Sequence, residues 1–159
     1  MDLHQFSEWL SATPFSVAIQ GRSWAIPTIQ TVHILGLGLV LTAALILALR
    51  FMGLGLTSEP LAQLARRYTR LIWLLLLVLL ATGVLLIVAE PGRTITNPVF
   101  YLKMSLLALV IVVTLWLAGA ARRYGDSPPG LHKLLACLTL VLWVGIIFCG
   151  RFIAYFEST

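Results

Sequence analysis

Four long apolar runs dominate the 159-residue sequence and leave it few ways to fold. They cover about Ile26–Leu49, Leu71–Ala89, Pro98–Ala121 and Leu134–Phe156. As helices, the runs would each be roughly 28–36 Å long, enough to cross the hydrocarbon core of a bilayer. Strands of a membrane β-barrel alternate in polarity, and these runs do not. The pattern predicts an all-α, integral membrane four-helix bundle that forms a single transmembrane domain over residues 1–159.

The composition excludes two other classes of protein. Hydrophobic residues make up 60% of the chain and charged residues only 11%, whereas a soluble domain has about 25% charged residues. A water-soluble fold of this length could not hide so much apolar surface. The net charge of +5 does not indicate nucleic-acid binding, because the basic residues flank the apolar runs and form no stripe of their own.

The basic residues between the runs predict the orientation in the membrane. Loops one and three, with their edges, hold seven of them, and the opposite side holds two. Because basic loops stay in the cytoplasm, we expect both termini on the periplasmic side of a bacterial inner membrane. The seven are Arg50, Arg66, Arg67, Arg70, Arg122, Arg123 and Lys133, and the two are Arg22 and Arg93.

Turn and capping residues predict how the spans are connected. Ser58, followed by an acid and a proline, predicts a capped helix that begins near Glu59. A short outer turn is expected between Pro91-Gly92 and Asn97-Pro98. Residues 2–20 read as two short segments, and the first is an amphipathic helix expected to lie on the outer membrane surface.

Five polar residues stand inside the spans or at their ends, where polar side chains are costly. They are Gln30, His33, Glu90, Lys103 and Arg151. The histidine, the lysine and the arginine each lie roughly 8–9 Å inside the predicted outer edge, which predicts a site that opens outward. Snorkelling to the headgroups would equally explain the lysine and the arginine, and a helix-end role would explain the glutamate. A pairing of Glu90 with Lys103 or Arg151 is a further possibility.

His33 is the most informative of these residues, because its short side chain cannot easily snorkel. Gly36 lies three residues later on the same helical face, where it would leave room for a planar ligand or allow close helix packing. A neutral imidazole beside a glycine is a common way to hold b-type haem. Gln30 could line the same site, and haem propionates could pair with Lys103, Arg151 or Arg22.

Three other side chains are candidates for the second ligand of a haem iron. Met104 could serve as a sixth ligand or simply pack against lipid or core. His4 could fold back from the surface segment. His132, at the cytoplasmic start of the fourth span, is over 20 Å from His33 along the bundle. A bis-histidine haem between two spans is therefore not predicted, nor is a closed copper or zinc site.

The first-span stretch from Trp24 to Gly36, together with Leu49-Arg50 at the end of that span, resembles an uncharacterised family of bacterial inner-membrane proteins. More distantly, the chain is similar to CopD-type copper-resistance proteins and HemJ-type protoporphyrinogen oxidases. The matching positions are His33, Arg50 and the stretch Lys103-Met104-Ser105-Leu106-Leu107. The HemJ resemblance implies that His33 is an axial haem ligand and Lys103 a functional partner. Trp116 and Arg122 stand at the end of the third span, where that family has a histidine.

Three functions remain open on the sequence alone. The first is a haem-b protein that passes electrons, with a periplasmic redox protein or a membrane subunit as its partner. The second is a cofactor-free accessory subunit or carrier of a small solute or metal. The third, by analogy alone, is an oxidoreductase acting on a porphyrinogen or a quinol. A homo-oligomer is compatible with each of them, and no nucleophile with its base or phosphate-binding loop indicates another enzyme class.

Overall fold

A computed structural model describes residues 2–55 and 58–155, and within them it contains four long helices and three short ones. The long helices are α3 (Ala25–Met52), α4 (Leu61–Ala89), α6 (Pro98–Tyr124) and α7 (Gly130–Tyr155), and the short ones are α1 (Leu3–Ser11), α2 (Pro14–Gln20) and α5 (Pro91–Ile95). All four long helices contain segments long and apolar enough to cross a membrane. The prediction of an all-α four-helix membrane bundle is confirmed. Phe156, the expected end of the last span, lies outside the described residues.

The first and last described residues are at one end of the bundle, which we call the terminal end, together with α1, α2 and α5. The helix α2 begins after Thr13, whose hydroxyl accepts a hydrogen bond from the Ser16 amide. It then docks on the last turn of α4, where backbone carbonyls have no partner within the helix. Ser16 donates to the Val88 carbonyl at 2.7 Å, and Gln20 donates to the Ala89 carbonyl at 3.0 Å. These contacts hold the N-terminal segment against the bundle.

The opposite end, which we call the loop end, departs from the sequence prediction at the start of α4. The helix begins at Leu61, two residues after Glu59, and Ser58 does not cap it. The Leu61 amide instead donates to Asp126 Oδ1, 65 residues away, at 2.8 Å. The same carboxylate oxygen accepts from Arg50 Nη2 at 2.5 Å. A distant carboxylate replaces the local serine because it satisfies both a helix amide and a buried guanidinium.

The connection between α4 and α6 also differs from expectation. The predicted outer turn contains the one-turn helix α5, which opens with Pro91 in its first turn. The buried Asn97 then caps α6, and its side-chain oxygen accepts from the Val99 amide at 2.9 Å. The helix α1 packs against α5, so the three short helices together cover the terminal end.

The four long helices pack in a ring, in the order α3, α4, α6, α7. The contacts of α3 with α4 and of α6 with α7 are extensive, whereas those between α4 and α6 are the sparsest of the four sides. The central core contains Val40, Val110, Trp143 and Ile146, all almost fully buried. The weak α4–α6 side is where the main cavity of the bundle lies.

Candidate functional site

A cavity of about 360 Å³ lies between α4 and α6, with α3 and α7 behind it. Its lining runs along α4 from Trp73 to Ile87 and along α6 from Phe100 to Ile111. A volume of this size falls within the range of small-molecule sites. Most of the lining is aliphatic or aromatic, and its polar members are His33, Thr94 and Lys103. The cavity therefore brings together two of the polar residues that the sequence predicted at one depth.

The His33 ring is oriented by Thr82 on α4. Thr82 is buried, and its hydroxyl donates to the Val78 carbonyl at 2.8 Å. The single hydroxyl hydrogen is thereby used, so the oxygen acts as acceptor in its 2.7 Å contact with His33 Nδ1. The proton of a neutral imidazole is then on Nδ1, and Nε2 keeps its lone pair. No described residue makes a hydrogen bond to Nε2. This atom is not one of the fully buried side-chain atoms that lack a hydrogen-bond partner, so it is accessible.

Two glycines flank the histidine and have different roles. Gly83 lines the cavity, and a Cβ built there would lie 3.6 Å from His33 Cε1. Gly36 is buried and does not line the cavity. A Cβ at Gly36 would lie 3.1 Å from Leu79 Cδ2, so this glycine permits close packing of α3 on α4. Of the two roles that the sequence left open for Gly36, the structure favours packing.

Lys103 supplies the positive charge of the site. It is partly buried, and among residues 2–55 and 58–155 its amine has neither a hydrogen bond nor an ion pair. The amine reaches towards α7, where it lies 3.7 Å from the position that a Cβ on Gly150 would take. An unpaired ammonium beside an apolar cavity favours a ligand with an anionic or carbonyl group.

The other predicted site residues lie away from the cavity. Arg151 is exposed, donates to the Tyr155 hydroxyl at 3.2 Å and stacks over the Tyr155 ring. Arg22 is exposed and Gln30 half-buried, and neither lines the cavity. Glu90 pairs with Arg93 at 3.2 Å. The suggested pairing of Glu90 with Lys103 or Arg151 is therefore wrong, because a neighbour three residues away satisfies the carboxylate.

The alternative iron ligands are also separated by the fold. Met104 is 44% exposed at the rim of the cavity. His4 is exposed on α1 and does not line the cavity. His132 is buried at the loop end against the rings of Trp116 and Tyr124. Only Met104 of these three is at the site.

Arg50, part of the sequence resemblance, belongs to the loop end and not to the cavity. Its buried guanidinium donates to the Glu59 carbonyl at 2.9 Å and pairs with Asp126. The arginine therefore ties the end of α3 to the start of α4 and to the loop before α7. We call this group, made of Arg50, Glu59, Leu61 and Asp126, the loop-end clamp.

Sequence reasoning missed Thr94 and Trp143, which line the cavity, and Thr82, which orients the His33 ring. Thr82 had a signal, because it is the only hydroxyl residue between Thr69 and Glu90 and is followed directly by Gly83. A lone threonine in an aliphatic span can simply bond its own helix, as Thr82 also does here. Trp143 is indistinguishable in sequence from a lipid-facing tryptophan. Its indole Nε1 is buried and has no acceptor among the described residues.

The donor set of the cavity suits a haem better than a closed metal site. Within the described part of the chain, no three His, Cys, Asp or Glu side chains form a metal-binding group. One imidazole nitrogen with a fixed lone pair is what a haem iron takes from a protein on one side. An apolar wall and one cation are what a porphyrin ring and a propionate would contact.

Comparisons with known proteins give a family but no function. No curated protein and no solved structure matches the sequence. A family described as "Family of unknown function (DUF6644)" matches residues 6–156, which contain all four long helices completely. Since the match spans nearly the whole chain, this protein belongs to that family.

Proposed function

We propose that the protein binds b-type haem in the cavity between α4 and α6 and transfers electrons in a bacterial inner membrane. The observation that carries the proposal is the hydrogen bond between His33 Nδ1 and Thr82. It leaves Nε2 with the lone pair that an iron ligand requires. Metal-binding histidines characteristically donate their other ring N–H to a fixed acceptor, and Thr82 fills that role.

The rest of the cavity supports the same ligand. Lys103 would pair with a haem propionate, and it has no other partner among the described residues. Gly83 leaves the space beside the His33 ring free of a side chain. A haem iron held by one histidine supplies one-electron transfer between its ferric and ferrous states. The protein contributes the ligand, the counter-charge and an apolar wall that limits access of water.

The proposed orientation puts this site near the periplasm. The terminal end would face the periplasm and the loop end the cytoplasm, because the loops at the loop end and their edges hold seven basic residues, whereas the segments outside the predicted spans at the terminal end hold two. A periplasmic redox protein or a second membrane subunit would then be the electron partner.

The orientation has its own test. Ser23→Cys at the terminal end and Ser127→Cys at the loop end form a matched pair, made in a chain whose two native cysteines are alanine. An impermeant maleimide should label only the Ser23→Cys protein in intact cells. Labelling of Ser127→Cys alone would reverse the topology.

Haem binding is tested by the absorption spectrum of the protein purified in detergent from haem-replete cells. We expect a Soret band and a sharp band near 560 nm after reduction with dithionite. His33→Ala should remove both bands, whereas His4→Ala and His132→Ala should keep them because these residues lie outside the cavity. A featureless wild-type spectrum would refute the cofactor, and a full Soret band in His33→Ala would refute the ligand.

A further inference from the structure

A second, much smaller cavity lies in the loop-end half of the bundle, with residues of all four long helices around it. Its volume is about 20 Å³, and none of the described residues lines both this cavity and the one beside His33. Along α4, its lining residue Thr69 lies 13 residues before Thr82, which is about 20 Å of helix. The small cavity, which we call the threonine cavity, is therefore separate from the proposed haem site.

Three threonines at a common depth supply the polar lining of the threonine cavity. Thr69, Thr114 and Thr139 belong to α4, α6 and α7, and they lie eight, ten and nine residues from the loop end of their helices. These separations correspond to about 12–15 Å. The other lining residues are alanines, leucines, an isoleucine and a phenylalanine. Three helices therefore bring a hydroxyl residue to one place in an otherwise apolar core.

The three hydroxyls differ in what they can still offer a ligand. Thr114 donates its hydrogen to the Val110 carbonyl at 2.7 Å. Thr139 donates its hydrogen to the Ala136 carbonyl, also at 2.7 Å. Because a hydroxyl has one hydrogen, these two oxygens can only accept a further bond. The Thr69 hydroxyl makes no hydrogen bond to any described residue, so it can still donate.

One water molecule matches both the volume and this set of groups. A water molecule requires about 10–15 Å³ measured in the same way, and a buried water typically makes about three hydrogen bonds. Water can accept one bond from Thr69 and donate its two hydrogens to Thr114 and Thr139. A cation would find no carboxylate among the described lining residues to balance its charge, and an unpaired buried charge is costly. An apolar occupant would leave the Thr69 hydroxyl without a partner.

We propose that the threonine cavity binds one ordered water molecule, which links α4 to α6 and α7 through Thr69, Thr114 and Thr139. The helices α4 and α6 are the neighbours with the sparsest direct contacts in the ring. The large cavity lies between them only as far as Trp73 on α4 and Ile111 on α6. The water bridge ties the two helices together beyond that point, towards the loop end. This inference goes beyond haem binding and does not depend on it.

The direct test is a crystal structure of the full chain, grown in a lipid mesophase, at a resolution that shows ordered water. We expect one peak about 2.5–3.0 Å from Thr69 Oγ1 and from at least one of the other two threonine hydroxyls. Thr69→Val keeps the shape and should lose the peak, whereas Thr69→Ser keeps the hydroxyl and should retain it. A wild-type structure without the peak would overturn the proposal. A peak that persists in Thr69→Val would overturn the role of that hydroxyl, and several oxygen ligands at about 2.0–2.4 Å would identify a cation instead.

Equilibrium unfolding in mixed micelles of detergent and SDS tests the link between the helices. Thr69→Val and Thr139→Val should each raise the unfolding equilibrium constant about 2- to 13-fold, the effect of one net hydrogen bond. Because either change releases the same water, the double variant should cost no more than about the larger single loss, whereas independent effects would multiply. Thr42→Val removes an exposed hydroxyl that bonds the Gly38 carbonyl of its own helix, and it should leave the constant unchanged. Multiplying effects in the double variant, or equal losses in Thr42→Val and Thr69→Val, would overturn the shared water.

Discussion

Thr82→Val is the most direct test of the argument about the His33 tautomer. Valine keeps nearly the same shape and removes the hydroxyl that accepts the 2.7 Å hydrogen bond from His33 Nδ1. Thr82 is 8% exposed, so water cannot readily replace the lost acceptor. An unpaired buried donor costs about 1–3 kcal/mol. The ring then loses both its fixed orientation and the partner that keeps the proton on Nδ1.

The expected effect on haem follows from this loss. Removing the outer hydrogen-bond partner of a metal-binding histidine typically lowers metal affinity about 10- to 100-fold, which is about 1.4–2.8 kcal/mol. We expect a decrease of this size for Thr82→Val when haem-depleted protein in detergent is titrated with hemin and followed at the Soret band. The axial ligand itself remains, so binding should be weakened and not abolished.

Two matched variants make the result specific. Thr82→Ser keeps the hydroxyl and should retain wild-type affinity to within a few-fold. Thr114→Val removes a similar span hydroxyl that, within residues 2–55 and 58–155, bonds only to the Val110 carbonyl of its own helix, so haem affinity should not change. Unchanged affinity in Thr82→Val, with no binding in His33→Ala, would refute the orienting role of Thr82. Equal losses in the Thr82 and Thr114 valine variants would indicate a general effect on folding.

Three further predictions concern the clamp, the helix contact and the choice between two cations. Asp126→Ala should lower stability by about 1–3 kcal/mol, because it removes a helix cap and the partner of a buried guanidinium. The 60% exposure of the carboxylate limits the loss, which thermal unfolding in detergent would measure. Gly36→Leu should destabilise the protein by about 1–3 kcal/mol in the same assay. Gly38→Leu should have little effect, because a Cβ at that position would meet open space. Equal losses in the two variants would contradict the packing role of Gly36. Lys103→Gln should weaken hemin binding at least about tenfold and Arg151→Gln should not, since only the lysine lines the cavity; the reverse order would exclude Lys103 as the propionate partner.

The spans were predictable because hydropathy alone determines them. A run of about 20 apolar residues has one stable arrangement in lipid, which is a helix across it. The relative depth of His33 and Lys103 followed from counting along such helices, and both residues do line one cavity. Counting gives depth but not rotation about the helix axis. The rotation of α4 about its axis places Gly83 at the cavity, whereas the rotation of α3 places Gly36 against Leu79.

The cap of α4 was mispredicted for a related reason. A local signal, Ser58 before an acid and a proline, favoured a serine cap. The structure uses Asp126 from another loop, and nothing near Leu61 in the sequence indicates it. A long-range contact replaces a local one here because Arg50, buried at the end of α3, needs a carboxylate at the same place. A helix cap that also neutralises a buried charge elsewhere in the chain cannot be predicted from the few residues around the start of the helix.

The three charged groups predicted at the outer end show a rule that the sequence does contain. Glu90 has an arginine three residues later, and Arg151 has a tyrosine four residues later, and each pairs with that neighbour on its own helix or turn. Such local partners are always within reach and cost little additional ordering. Lys103 has only Val99, Phe100, Leu106 and Leu107 at the three- and four-residue spacings. No local side chain can satisfy its charge, so the lysine faces the cavity without a partner in the part of the chain that the structure describes. A charged span residue without a polar neighbour at those spacings is therefore the one to assign to a ligand.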